Sequence, residues 1–89
     1  MSEAEVRIAN RLGLHARAAA KFVHLANSFE CKIYVSKDGS RVDGKSILGL
    51  LTLAAAKGSR LRLSVDGPNE EAALAGLIKL VEERFGEES

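Results

Sequence analysis

The sequence predicts an α+β domain of order β-α-β-β-α-β-α, a mostly antiparallel sheet with helices on one face and water on the other. Three observations carry that expectation. Apolar and polar residues alternate through "AEVRIAN", "CKIYVSK" and "RLRLSVDG", the period of half-buried strands. Between and after these stretches the apolar residues fall at helical spacing. Eighty-nine residues, 46% apolar and 28% charged, suffice for one core and no more, so residues 1–89 form a single domain.

Each element has its own signal. Val6 and Ile8 share one face of the first strand, with Glu5 and Arg7 on the other. From Ala16 the set Ala16, Ala19, Phe22, Val23 and Ala26 makes an apolar helix face opposite Arg17, Lys21 and His24. Cys31 to Asp43 reads as a hairpin turning at "DGS". "SILGLLTLAAA" is the second helix, capped by Ser46 and ending before Gly58. The fourth strand sets Leu61, Leu63 and Val65 against Arg60, Arg62 and Ser64. "PNEEAALAGLIKLVEERF" is the last helix, capped by Asn69, with Glu70 and Glu71 at the positive end of its dipole and Ala73, Leu77, Leu80 and Val81 inward. The tail "GEES" is expected to fray.

Composition bounds the function. With Cys31 alone, no internal disulfide forms, and a reducing compartment suits the chain. No apolar run is long enough for a bilayer, and "MSEAEVRIAN" lacks the parts of a signal peptide, so a cytoplasmic location without membrane attachment is expected. Thirteen basic against twelve acidic residues give no pull toward nucleic acid. An RNA-binding β-α-β-β-α-β domain needs stacking aromatics on its open sheet face, and Tyr34 alone is poor support.

Three places carry candidate chemistry. His15 stands at the start of the first helix, where unpaired N–H groups favour an anion. Its imidazole suits a phosphoryl nucleophile, and Arg17 offers a guanidinium fork for phosphate oxygens; the plainer reading is a surface histidine that happens to precede a helix. His15 and His24 lie too far apart for a metal pair, and no cofactor or metal is expected. Gly39 to Ser46, "GSRVDGKS", matches the phosphate-loop pattern letter for letter, but Gly39 falls in a hairpin turn and "RVD" in a strand, so Ser46 is better read as a helix cap. Finally, Leu50, Leu53 and Ala54 form one arc of the second helix, and Ile47, Leu48 and Leu51 a second. One arc should stay at the surface as a partner-binding patch, unless a loop covers it.

"GLHARAAAKFVHLANSF" followed by "GKSILGLL" closely resembles the HPr family, the histidine-containing phosphocarriers of the bacterial phosphoenolpyruvate-dependent sugar phosphotransferase system. The resemblance extends to the closing "GPNEEAALAGLIKLVEERF". It implies an open-faced sandwich, a four-stranded antiparallel sheet with three helices on one side. It implies that His15 takes phosphate on Nδ1 beside Arg17, receives it from enzyme I and passes it to IIA proteins, the chain being a carrier rather than an independent enzyme. Ser46 would be the regulatory site of an HPr kinase/phosphorylase, with a transcriptional regulator as a further partner in carbon catabolite regulation. Ala20 and Lys21 join Ile47, Leu48 and Leu51 as expected partner-binding residues, and the chain is expected to be a monomer. One departure stands out. The family usually has proline where this chain has Ala18, and alanine leaves φ freer and keeps an N–H. A rival reading is a regulatory adaptor acting mainly through phospho-Ser46, with little flux through His15.

Overall fold

A computed structural model describes all of residues 1–89. Four strands, β1 (Ser2–Arg7), β2 (Lys32–Lys37), β3 (Ser40–Asp43) and β4 (Arg60–Asp66), form one antiparallel sheet in the order β1-β4-β2-β3. Helices α1 (Ala16–Asn27), α2 (Ile47–Thr52) and α3 (Glu70–Glu82) cover one face, and a short 3-10 turn, Arg84–Gly86, follows.

Alternation places the core. On β4, Leu61, Leu63 and Val65 are buried, and the register sets Val6 opposite Leu61, and Ile33 and Val35 opposite Val65 and Leu63. Phe22, Ala26, Leu50, Leu77 and Val81 close this layer from the helices. Buried aliphatic side chains of this kind each contribute roughly 1.5–3 kcal/mol. On the open face Glu5 pairs with Arg62, and Ser64 lies buried between Glu3, whose carboxylate accepts its hydroxyl at 3.1 Å, and Tyr34. The guanidinium of Arg41 lies 3.8 Å from the centre of the Tyr34 ring. The one aromatic that an RNA-binding reading would use is therefore covered.

The hairpin turns at Asp38 and Gly39, both with positive φ (50° and 85°), as a two-residue turn between twisted strands requires. Ser40 to Asp43 is a paired strand, and the Lys45 ammonium is held by the carbonyl of Phe29 at 2.7 Å. The "GSRVDGKS" segment therefore wraps no phosphate.

Four expectations need correction. Helix α2 spans six residues and stops at Thr52, well short of Gly58. Ala54 turns left-handed (φ 50°), and Leu53 and Ala55 leave the helix to enter the core, so tertiary burial overrides a run of good helix formers. In α1, Ala16 is exposed and Ala18 fully buried, so Ala18 rather than Ala16 joins Ala19, Phe22, Val23 and Ala26 on the buried face. Asn69 occupies the cap position of α3 in a left-handed conformation (φ 58°), but its side chain caps nothing. Glu70 instead ties the approach to the helix to β1, accepting the Gly67 N–H at 3.3 Å and the Ser2 hydroxyl at 2.6 Å. Last, the tail does not fray. Phe85 is buried in the core and Ser89 accepts the Arg11 N–H at 2.9 Å.

Candidate functional site

The loop from β1 to α1 is built to hold His15 at the helix start. Asn10, completely buried, donates from Nδ2 to the carbonyl of Gly13 at 2.7 Å. Gly13 adopts φ 70°, and a Cβ there would stand 2.5 Å from the Ala55 carbonyl oxygen. Leu14 buries its side chain and donates its N–H to that carbonyl at 2.8 Å. The chain thus reaches His15 with extended backbone (φ −80°, ψ 178°), as an N-cap residue does, and Ala19 donates to the His15 carbonyl at 2.8 Å.

The His15 side chain does not cap the helix. The N–H groups of Ala16, Arg17 and Ala18 therefore make no hydrogen bond within the chain, and they point out beside the imidazole. The side chain of His15 is 24% exposed, so the ring is held on one side and open on the other. Arg17 is exposed and its guanidinium bonds to no other residue. The first turn of α1 thus offers three free N–H dipoles, an exposed guanidinium two residues on and a half-open imidazole, groups of the kind that bind a tetrahedral anion.

The ring's Nε2 is engaged by the Glu87 carboxylate through Oε2, and Asn10 Nδ2 donates to the other oxygen, Oε1, at 2.9 Å. Hydrogen bonds from Asn10 and then His15, with the nearby charge of Arg17, hold the Glu87 carboxyl below the usual carboxylate range. Nothing in the sequence pattern singles out Glu87 or Asn10. One lies in a polar tail, the other in a short loop, and only the fold brings them together.

The other expected residues fall into two groups flanking His15. Along α1, Arg17, Ala20, Lys21, His24 and Leu25 line a shallow groove with Leu80 of α3. Lys21 gives its ammonium to the Phe85 carbonyl at 2.7 Å, so its charge is tied to the C-terminal turn and its stem lines the groove. On the other side Ile47 and Leu48 are exposed, Leu48 at 77%, whereas Leu51 is half-buried against the core. The expected apolar arc thus shrinks to its first two residues. Ser46 caps α2, accepting the Gly49 N–H on Oγ at 3.0 Å. No three His, Cys, Asp or Glu side chains converge as a metal site, and no helix is long and apolar enough to cross a membrane.

These features have counterparts in known proteins. A family profile described as "PTS HPr component phosphorylation site" matches residues 2–83. A curated relative from Cupriavidus necator, named phosphocarrier protein HPr, is 46% identical over 87 residues, covering 98% of both chains. The crystal structure of HPr from Thermoanaerobacter tengcongensis superposes with a TM-score of 0.96 at 44% identity, covering all of both chains. The structure of Crh, described as the Bacillus subtilis catabolite repression containing protein and as a dimer with a swapping domain, gives a TM-score of 0.76 at 39% identity, covering 94% of this chain and 97% of that one.

Proposed function

The chain belongs to the HPr family of the phosphotransferase system, and from that premise we propose that His15 accepts a phosphoryl group from enzyme I through Nδ1 and passes it to IIA proteins. The observation that carries this reading is the half-open imidazole at the start of α1, beside three unpaired N–H groups and the free guanidinium of Arg17. Charge that develops on the transferred group meets dipoles already in place, which is how such sites lower a phosphoryl-transfer barrier. In this reading the chain works as a carrier between proteins, taking the group on an acceptor nitrogen from one and yielding it to another. The reading takes a monomer in a reducing cytoplasm as the acting form.

Ser46 serves as a regulatory switch in this reading, the substrate of an HPr kinase/phosphorylase. A phosphate on its Oγ would carry close to −2 charge at the start of α2, next to exposed Ile47 and Leu48. It would repel an acidic partner surface that Ile47, Leu48, Ala20 and the Lys21 stem otherwise receive. The similarity to Crh favours a second reading, an adaptor working chiefly through phospho-Ser46 toward a transcriptional regulator. His15, present here with its site intact, weighs toward the carrier.

Intact mass after incubation with phosphoenolpyruvate, magnesium and bacterial enzyme I tests the choice. One acid-labile phosphoryl adduct, missing in His15→Ala, is the expected result. Folded protein that takes no adduct from its cognate enzyme I would hand the function to Ser46.

A further inference from the structure

The C-terminal turn is built to deliver a carboxylate to the imidazole. Arg84, Phe85 and Gly86 all take positive φ (60°, 54° and 80°), a costly run for two residues with side chains, and it reverses the chain after α3. Burial of Phe85, the Lys21 bond to its carbonyl and the Arg11 bond to Ser89 hold that reversal in place. At its end Glu87 lies against His15, its side chain 17% exposed. Asn10 spends both amide hydrogens, one on Gly13 of the histidine loop and one on Glu87, while its own Oδ1 finds no partner in the chain. A fully buried amide held at that cost locks loop and tail to each other.

We propose that Glu87 is a positioning residue for phosphoryl transfer, accepting a hydrogen bond from Nε2–H of His15 so that Nδ1 keeps its lone pair and faces the open side. The proposal rests on the reading of His15 as phosphoryl acceptor. An ionised carboxylate can only accept, so the proton of a neutral ring bonded to it sits on Nε2. In the transfer the Nδ1 lone pair forms the N–P bond as the bond from phosphorus to its donor atom breaks, and that pair leaves with the donor. Nε2 keeps its proton throughout. The ring gains positive charge as the N–P bond forms, and Glu87 offsets it from the far side. This is the part an aspartate plays behind the histidine of a hydrolase triad. On return of the group, the same charge pair releases Nδ1 as a neutral leaving nitrogen. Glu87 lies beyond the residues that the family profile matches, 2–83.

The test compares wild type, Glu87→Ala, Glu87→Gln and His15→Ala by two readouts. Nitrogen-15 NMR of the His15 ring reports which nitrogen carries the proton, without any phosphoryl donor. The initial rate of acid-labile phosphorylation by enzyme I and phosphoenolpyruvate reports transfer. Wild type is expected to show Nε2–H, and Glu87→Ala to move the ring toward a mixture of forms and lose roughly tenfold in rate, the low end of what loss of a histidine's orienting partner costs at metal sites. Glu87→Gln retains an acceptor oxygen without the charge, and is expected to keep the wild-type ring form at an intermediate rate. An unchanged rate in Glu87→Ala overturns the proposal. A faster rate does so too and makes Glu87 a guard that competes with phosphate. Equal phosphorylation of His15→Ala and wild type would instead remove His15 as acceptor, whatever the ring spectra show.

Discussion

Leu14 and Ala55, far apart in the chain, are joined by one hydrogen bond from the Leu14 N–H to the Ala55 carbonyl at 2.8 Å. It fastens the histidine loop to the segment that follows α2, and so couples the site to the part of the molecule that carries Ser46 and Leu48.

Gly13 lies against the same carbonyl, with φ 70° and only 2.5 Å for any added Cβ. Gly13→Ala is therefore expected to destabilise the domain by about 2 kcal/mol or more, the left-handed penalty plus displacement of the Ala55 backbone. Urea unfolding measures it. A variant as stable as wild type would mean that the loop re-forms without this geometry.

Arg17 bonds to nothing within the chain, so its removal should leave stability within ~0.5 kcal/mol. Arg17→Ala is expected to slow phosphorylation of His15 by at least tenfold. The two measurements together, rate and urea midpoint, separate a phosphate contact from a folding defect; an unchanged rate removes Arg17 from the site.

Ser46 and Leu48 make a contrasting pair. Ser46→Ala loses the cap bond to Gly49 and should cost about 1 kcal/mol, while Ser46→Asp keeps an acceptor there and should stay near wild type in stability. Affinity for enzyme I, read by titration calorimetry, is expected to fall for Ser46→Asp and for Leu48→Asp. Because Leu48 is 77% exposed, the latter should shift stability by no more than ~0.5 kcal/mol. Leu48→Asp with unaltered affinity would end the case for an apolar docking patch.

Two carboxylates contribute to the acid side of stability. Glu70 is held below its ordinary pKa of 4.5 by the Ser2 hydroxyl, the terminal amine and the Gly67 N–H, and Glu87 is held below it by Asn10 and His15. A depressed folded-state pKa stabilises the native protein above the unfolded value, and that contribution disappears as pH falls through the folded one. Stability is therefore expected to decline as pH drops below about 4.5. Urea midpoints between pH 6 and pH 3 should fall less steeply in Glu70→Gln and Glu87→Gln; parallel curves for wild type and variants would dissociate these carboxylates from acid unfolding.

Strand alternation, the hairpin at Asp38 and Gly39, the Ser46 cap and the placement of His15 ahead of a helix were all legible in the linear chain, because each depends on residues within a turn or two of one another. The end of α2 was not. Leu53 and Ala55 satisfy helix propensity as well as their neighbours do, and burial in the tertiary core draws them out of the helix. The same limit explains Asn69, whose side chain caps nothing, and Glu70, whose carboxylate is drawn to Ser2 of the neighbouring strand and to Gly67. Glu87 is the fullest case. In a polar tail without period its carboxylate is indistinguishable from that of Glu88, and 72 residues separate it from the imidazole it touches. By itself the sequence determined which nitrogen-bearing side chain stands at a helix start. Closure of the chain over Phe85 and Asn10 decided what stands behind it, because a contact between distant residues exists only after the entropy of bringing them together has been met by a common core.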